Sequence, residues 1–199
     1  RAPRPGIAAL LEQAGAAGKR LKASTLGFVI GPRINAAGRM DTADAALRIF
    51  CASDPSPALD EAVRTLCALN EQRKREVEDI AAAAERAILD RGYYRDAAIV
   101  LADAGWNPGV IGIAAARIAE RFTRPCVLLG GADGALTGSA RSAGGVNVYE
   151  ALSAFADGFE KFGGHTQAAG LTLRGGEGVE ALRVNLCGYI SAHYGEDAF

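Results

Sequence analysis

The sequence predicts an α/β fold in which a mixed sheet is flanked by helices and preceded by a long connecting helix. Two observations carry this prediction. From residue 93 onward, short apolar runs alternate with helical patterns, which is typical of layered α/β domains. Between residues 58 and 91, apolar side chains recur at spacings of three and four. We expect three regions, at residues 1–52, 53–92 and 93–199.

The first 52 residues predict short elements. A helix is expected from Ile7 to about Gln13, and a second from Thr42 to Phe50. Between them, the apolar run from Thr25 to Ile30 favours a short strand or a buried turn, which Gly31 and Pro32 would end. The second helix is expected to turn one face inward, consisting of Ala43, Ala46, Leu47 and Phe50.

A long helix is expected from about Ala58 to Arg91. Ser56 suits its N-cap and Pro57 its first turn, and Gly92 ends the pattern. Because the middle of its inward stripe is polar, we interpret this helix as a strut that joins two packed bodies. The stripe consists of Leu59, Val63, Leu66, Asn70, Arg73, Val77, Ile80, Ala84 and Ile88.

The third region alternates strands and helices. Four apolar runs predict strands at Ala97–Ala102, Pro125–Leu129, Ala135–Arg141 and Leu171–Arg174. Helical patterns are found at Val110–Phe122, Val148–Phe155 and Glu177–His193. The inward residues of the first of these helices are predicted to be Val110, Ile113, Ala114, Ile118 and Phe122.

Composition narrows the function classes. The net charge of −1 by itself argues against a nucleic-acid binder, but residues 1–40 hold seven Lys or Arg and one acid. This basic start is compatible with DNA held by one face, and also with an ordinary solvated surface. The four cysteines form no CxxC pair and only two histidines are present, which favours packed thiols in the cytoplasm over a zinc site.

Several sequence patterns are missing. The sequence contains no run of 18 apolar residues and no signal-peptide pattern, so we expect no membrane association. It starts with Arg1 rather than Met, and we expect it to be part of a longer protein. It has no Asp-His-His motif, no paired-aspartate cluster and no Walker loop, and Asp103 is a lone acid. A two-metal phosphodiesterase site therefore cannot be built from these residues.

Two segments have the composition of phosphate sites. Gly163 and Gly164 would let a ligand approach the backbone, and a helix beginning near His165 would offer free N–H groups to an anion. A turn with a capping histidine has the same sequence. In the second segment, strand alternation puts Ser139 and Arg141 on one side, where a hydroxyl and a guanidinium suit a terminal phosphate. An exposed edge strand with a solvated arginine is the alternative.

Two further segments carry candidate ligand contacts. In the loop at residues 105–109, Trp106 could stack on a base or belong to the core, and Asn107 could cap a helix or reach a ligand. Residues 31–40 are interpreted as a loop that could hold a phosphate backbone, or as a surface loop without a ligand. The polar candidates in that loop are Arg33, Asn35 and Arg39.

Taken together and in this order, four segments resemble the RecJ family of the DHH phosphoesterase superfamily. GPRINAAGRM (31–40) resembles the signature that closes the family's catalytic domain. GWNPGVIGIAAARIAERF (105–122) and FGGHTQAAGLTL (162–173) resemble two signatures of its carboxy-terminal DHHA1 domain, and GSARS (138–142) resembles a Gly-Ser-x-Arg-Ser segment. The resemblance covers residue 3 to about residue 173. It departs at Asn107, where the family often has His.

The resemblance implies part of a 5′-to-3′ exonuclease that hydrolyses single-stranded DNA in repair and recombination, with Mn²⁺ or Mg²⁺. Residues 1–52 would end the DHH catalytic domain, whose metal ligands lie outside this sequence, and residues 93–199 would form a DHHA1 substrate-binding domain. We expect this chain alone to bind DNA phosphates without cutting. The expected partner is single-stranded DNA with a 5′ end, and a single-strand-binding protein or a helicase is a further candidate.

The resemblance also implies roles for individual residues. Ser139 and Arg141 would hold the 5′-phosphate. Asn107, where the sequence departs from the family, is a further candidate for phosphate binding. The residues near the scissile phosphate would be Gly163, Gly164 and His165, and the residues on the face between domains would be Arg33, Asn35 and Arg39. Two other functions stay open: a phosphoesterase for short oligonucleotides or cyclic dinucleotides, and a non-catalytic scaffold for repair or replication proteins.

Overall fold

The computed structural model describes residues 3–40, 42–131, 135–174 and 178–195. They divide into two compact units, with the boundary between Arg75 and Glu76. The long helix α5 (Pro57–Arg91) contributes to both units. Its predicted stripe is confirmed, because all seven apolar positions and Asn70 are buried and Arg73 is half-buried. No helix in the described ranges is long and apolar enough to cross a membrane.

The first unit packs short helices against the start of α5. Its core includes the fully buried side chains of Leu10, Ile49 and Leu66. A Cβ on Gly6 would lie 1.8 Å from the carbonyl oxygen of Ile49, so a glycine is needed where two helices approach closely. The elements are α1 (Pro5–Gln13), α2 (Ala23–Thr25), a π-helical turn (Leu26–Ile30), α3 (Gly31–Met40) and α4 (Asp44–Cys51).

Two predictions for residues 25–40 were wrong. The run from Thr25 to Ile30 is helical and largely exposed, neither a strand nor a buried turn, and residues 31–40 form helix α3 rather than a loop. A lone strand would leave its backbone groups unpaired among helices, whereas a helix pairs its own. Pro32 lies inside a continuous helical run from Ala23 to Met40, directly after its π-helical part. It has no N–H to donate to the preceding turn, where the helix widens to the π form.

The inward face predicted for α4 was also wrong in part. Ala46 and Ile49 are buried, whereas Leu47 is 62% exposed and Phe50 is 38% exposed. Apolar residues cover more than half of the circumference of this short helix, so its periodicity does not select one face. Packing against α1 selects the face that carries Ile49.

The second unit is built on a five-stranded mixed sheet in the order β1-β2-β3-β5-β4, which confirms the predicted fold class. Of the strand pairs in this sheet, β1 and β2 are parallel and the others are antiparallel. The strand β4 was not predicted, and β5 begins three residues earlier than expected. The strands are β1 (Ile99–Asp103), β2 (Cys126–Gly130), β3 (Ala135–Arg141), β4 (Phe159–His165) and β5 (Ala168–Arg174).

Three helices accompany this sheet, α6 (Ile111–Phe122), α7 (Val148–Ser153) and α8 (Gly178–Tyr194). Short 3₁₀ turns occur at Tyr93–Arg95 and Ala156–Gly158. The prediction for α7 was two residues too long, and Glu177, the predicted start of α8, lies outside the described residues. In α6, Ala114 and Ile118 are buried as predicted, together with the preceding Val110, whereas Ile113 and Phe122 are only half-buried.

The two faces of the sheet are covered differently. One, here called the packed face, lies against α7 and α8 and carries residues such as Val127, Leu129 and Leu171. On the other side, α6 contacts β2 and β3. Beyond α6, the surface of β5 and β4, together with the end of β3, is here called the open face.

Candidate functional site

The open face brings together residues that are far apart in the sequence. Ser139 pairs with Gly170, which pairs with Gly163 on the next strand. Two residues further along β3, Arg141 pairs with Ala168, which pairs with His165. Directly paired residues point to the same face of a sheet, so Ser139, Arg141 and His165 share the open face. Two strand spacings, about 10 Å, separate the β3 and β4 backbones.

Ser139 and Arg141 form a hydrogen-bonded pair. Nη1 of Arg141 donates to Oγ of Ser139 and to the carbonyl oxygen of Ala140, both at 2.7 Å. Both side chains are half-buried. The strand alternation predicted their common side, and the hydrogen bond additionally holds the guanidinium in one place.

The start of helix α6 lies against this pair. A Cβ on Gly112 would be 2.5 Å from Nη2 of Arg141 and 2.7 Å from Oγ of Ser139. Gly112 therefore allows the first turn of α6, with its partial positive charge, to approach the pair closely. The sequence reasoning missed this residue. An isolated glycine inside a strong helical pattern was the signal that could have found it.

His165 lies in a hairpin, and the helix considered at this position does not form. The histidine is the last residue of β4 and pairs with Ala168, and Thr166 and Gln167 form the connecting turn. The backbone at His165 therefore takes part in strand pairing and does not offer the free N–H groups of a helix start. Nδ1 of the exposed His165 accepts a hydrogen bond from the N–H of Gln167 at 3.3 Å. In the neutral ring this leaves the proton on Nε2, where it can be donated.

The two glycines before His165 differ in environment. A Cβ on Gly163 would meet nothing within 4 Å, so the protein itself does not require a glycine there. A Cβ on Gly164 would lie 2.4 Å from the carbonyl oxygen of Ala168 and 2.5 Å from Cα of Ala169. Gly164 is therefore needed for the hairpin to close, and Gly163 keeps the open face clear.

Cys126 lies on β2 at the register position of Arg141 and is fully buried. Burial raises the pKa of its thiol, and the nearby Arg141 opposes this shift in part. The thiol therefore stays protonated at neutral pH and does not cancel the charge of the guanidinium.

Asn107 belongs to a different polar group, at the carboxyl end of β1. Its Nδ2 donates to Oε2 of Glu76 at 2.9 Å, and its Oδ1 accepts from the N–H of Gly109 at 2.9 Å. The side chain thus stabilises the turn before α6, although Val110 and not Asn107 holds the N-cap position. The neighbouring Trp106 is half-buried. It is therefore not a fully buried core residue, and part of its ring is accessible for stacking.

The three candidates on α3 belong to the first unit. Asn35 and Arg39 are exposed and lie one helical turn apart, so they share a face. Arg33 is half-buried, and its Nη1 donates to the carbonyl oxygen of Val29 at 2.7 Å. This contact ties Arg33 to the π-helical turn.

The described residues contain no group of three or more His, Cys, Asp or Glu side chains that could hold a metal ion. The lone acid Asp103 has a local role, because its Oδ1 accepts from the N–H of Gly105 at 2.8 Å.

Comparisons with known proteins agree with this architecture. A family model of the DHHA1 domain matches residues 95–192. The chain is 38% identical over 188 residues to the single-stranded-DNA-specific exonuclease RecJ of Bacillus subtilis (strain 168), covering 94% of this chain and 24% of that protein. It is 41% identical over 181 residues to the protein of the same name from Escherichia coli (strain K12), covering 85% and 31%. The chain carries a DHHA1 domain and is similar to RecJ proteins over most of its own length.

Solved RecJ structures share the fold of this chain. The crystal structure of RecJ in complex with Mn²⁺ from Thermus thermophilus matches with a TM-score of 0.78 at 33% identity, over 94% of this chain and 27% of that one. A crystal structure of exonuclease RecJ bound to manganese matches with a TM-score of 0.80 at 33% identity, over 97% and 46%. The chain spans less than a third of the length of the curated relatives it matches.

Proposed function

We propose that this chain is the part of a RecJ-type exonuclease that grips single-stranded DNA by its phosphates. The curated relatives are named as exonucleases specific for single-stranded DNA, which supports the substrate class. The observation that carries the proposal is the register across β3, β5 and β4, which puts the donors of Ser139, Arg141 and His165 on one accessible face. A terminal phosphate offers several charged oxygens to such donors.

The hydrogen bond between Ser139 and Arg141 prepares both groups for an anion. Because Oγ of Ser139 accepts from Arg141, its own O–H remains available to donate. Nη2 of Arg141 lies beside Gly112, next to the positive end of α6. In our proposal these groups hold the 5′-phosphate, while Gly163, Gly164 and His165 contact the phosphate near the cut. Their contribution to hydrolysis is positioning and electrostatic stabilisation.

In the complete protein, we propose that hydrolysis depends on a divalent metal, Mn²⁺ or Mg²⁺, which would activate the attacking water. Solved RecJ structures were obtained with these two ions. We place the metal ligands in a DHH domain outside this sequence. Residues 1–52 would form the end of that domain, residues 53–92 the connecting segment, and residues 93–199 the substrate-binding domain. Asn107 and the α3 residues Arg33, Asn35 and Arg39 are proposed as further phosphate contacts.

The cellular setting is part of the same proposal. We place the protein in the cytoplasm, in DNA repair and recombination. A single-strand-binding protein or a helicase is the candidate protein partner.

The test is binding of a fluorescent single-stranded oligonucleotide by the 199-residue chain, with and without a 5′-phosphate. We expect tighter binding of the phosphorylated strand, and affinity that falls steeply with salt. The substitution Arg141→Ala should cost about 1–3 kcal/mol of that binding, typical of a charged hydrogen bond. Arg117→Ala removes an exposed charge from α6 and serves as the matched control, with little effect expected.

Two results would refute this division of labour. If the wild-type chain binds the phosphorylated and unphosphorylated strands equally well, and Arg141→Ala changes neither affinity, the open face does not bind the 5′-phosphate. Robust cleavage of DNA by the purified chain with Mn²⁺ would show that catalysis does not need a metal centre elsewhere.

A further inference from the structure

A cavity of about 530 Å³ lies between α5 and the loop that follows β1. One wall is a stripe of α5 with Glu76, Asp79 and Arg86, and the other is formed by the loop residues Trp106 and Asn107. In α/β sheets, ligands commonly bind outside the carboxyl ends of the strands, which is where this loop begins. The phosphate contacts proposed for Ser139, Arg141 and His165 leave this cavity unexplained.

The chemistry of the walls suits a flat, partly polar group. The indole of Trp106 is half-buried and offers a stacking surface. The hydrogen bond from Asn107 holds Glu76 in place at the wall. The exposed carboxylate of Asp79 can accept a hydrogen bond from an amino group. Ala82 and Ala83 are short side chains on the same wall, so room remains for a ring.

We propose that this cavity binds one unpaired nucleobase, with a preference for cytosine and adenine over thymine. Cytosine and adenine carry an exocyclic amino group that can donate to Asp79, whereas thymine presents a carbonyl oxygen and a methyl group instead. Arg86 on the α5 wall would attract the phosphate that follows the base and repel a cationic peptide side chain. The inference deepens the proposed function and rests on it, because the base would belong to the same strand.

Trp106 gives a direct readout, because it is the only tryptophan in the sequence. We would titrate the 199-residue chain with 5′-phosphorylated oligonucleotides of dC, dA or dT and follow quenching of its fluorescence. We expect dC and dA to bind about fivefold more tightly than dT, the effect of one ordinary hydrogen bond. Asp79→Asn should reduce this preference, whereas Glu78→Gln, an exposed charge on the same helix outside the cavity wall, should leave it unchanged.

A second variant tests the stacking surface. Trp106→Leu should weaken binding of a labelled dC oligonucleotide, followed by anisotropy, by about tenfold. An unchanged affinity for this variant would overturn the proposal.

The two proposals can fail separately. If Arg141→Ala weakens binding but the wild-type chain does not distinguish dC from dT, the base pocket is wrong and the phosphate site stands. If Arg141→Ala has no effect while the base preference depends on Asp79, the phosphate role fails and the pocket stands. Quenching by a short arginine-rich peptide, with none by any oligonucleotide, would overturn the pocket as a base site and indicate a cationic partner.

Discussion

The two faces of the five-stranded sheet are built from the same strands but have opposite surroundings. On the packed face, Val127, Leu129 and Leu171 are almost completely buried under α7 and α8. On the other side α6 covers only part of the sheet, so Gly163 and His165 at its far edge are exposed. Neighbouring residues of one strand can therefore serve stability on one face and ligand binding on the other.

This difference between the faces explains where the candidate site lies. Five strands form a wider surface than one helix covers, and the uncovered part begins beside the first turn of α6. The pair Ser139 and Arg141 lies at that border, half-buried beside Gly112. A guanidinium in such a position loses part of its solvent without losing access to a ligand, which favours strong binding of an anion.

The largest effect on stability should come from the packed face. Leu186 on α8 is 1% exposed, and Leu186→Ala should lower the free energy of unfolding by about 2–5 kcal/mol, because it leaves a cavity. Urea denaturation measures the change. Val184→Ala is the matched control on the same helix, since Val184 is 57% exposed and should cost little. Equal losses for the two variants would contradict the assignment of the packed face.

The adjacent glycines Gly163 and Gly164 test the two faces within one strand. Gly164→Ala should destabilise the protein by about 1–3 kcal/mol, because the new methyl group would overlap the backbone at Ala168 and Ala169. Gly163→Ala should change stability by less than about 0.5 kcal/mol, because its Cβ meets open space. Thermal unfolding of both variants gives the comparison, and similar losses would show that the open face is packed after all.

A smaller, pH-dependent effect on the free energy of unfolding is expected from Cys126, which pairs with Arg141 in the sheet. Burial raises the pKa of the Cys126 thiol above its ordinary value of 9.0, so above that pH the unfolded chain loses a proton that the folded chain keeps. The stability contributed by this thiol is therefore complete below about pH 9 and falls by about 1.4 kcal/mol per pH unit above it.

Urea denaturation of the wild type and of Cys126→Ala, from about pH 8 to about pH 10.5, measures this contribution. The stability difference between the two proteins should shrink as the pH rises. Parallel curves would mean that the thiol ionises as easily in the folded protein as in the unfolded chain.

Local periodicity accounts for the parts of the fold that the sequence predicted well. The stripe along α5 and the alternation of Ser139 and Arg141 depend on the geometry of one element and need no information about neighbours. The strand β4 was missed because its residues are mostly exposed and include two glycines, so it lacks the apolar signal of an inner strand. Helix α3 was taken for a loop because its glycines and proline resemble turn residues, although the π-helical turn before Pro32 accommodates the proline within the helix.

The sequence by itself determined that this chain has an α/β sheet domain with a long preceding helix, and its motifs indicated the RecJ family. Only the tertiary structure decided that His165 and Arg141 lie in line on either side of Ala168, because this depends on the register of β5 with both β3 and β4. It also decided that Gly112 lies against the Ser139 and Arg141 pair. Contacts between distant segments follow from packing, which no local pattern of residues encodes.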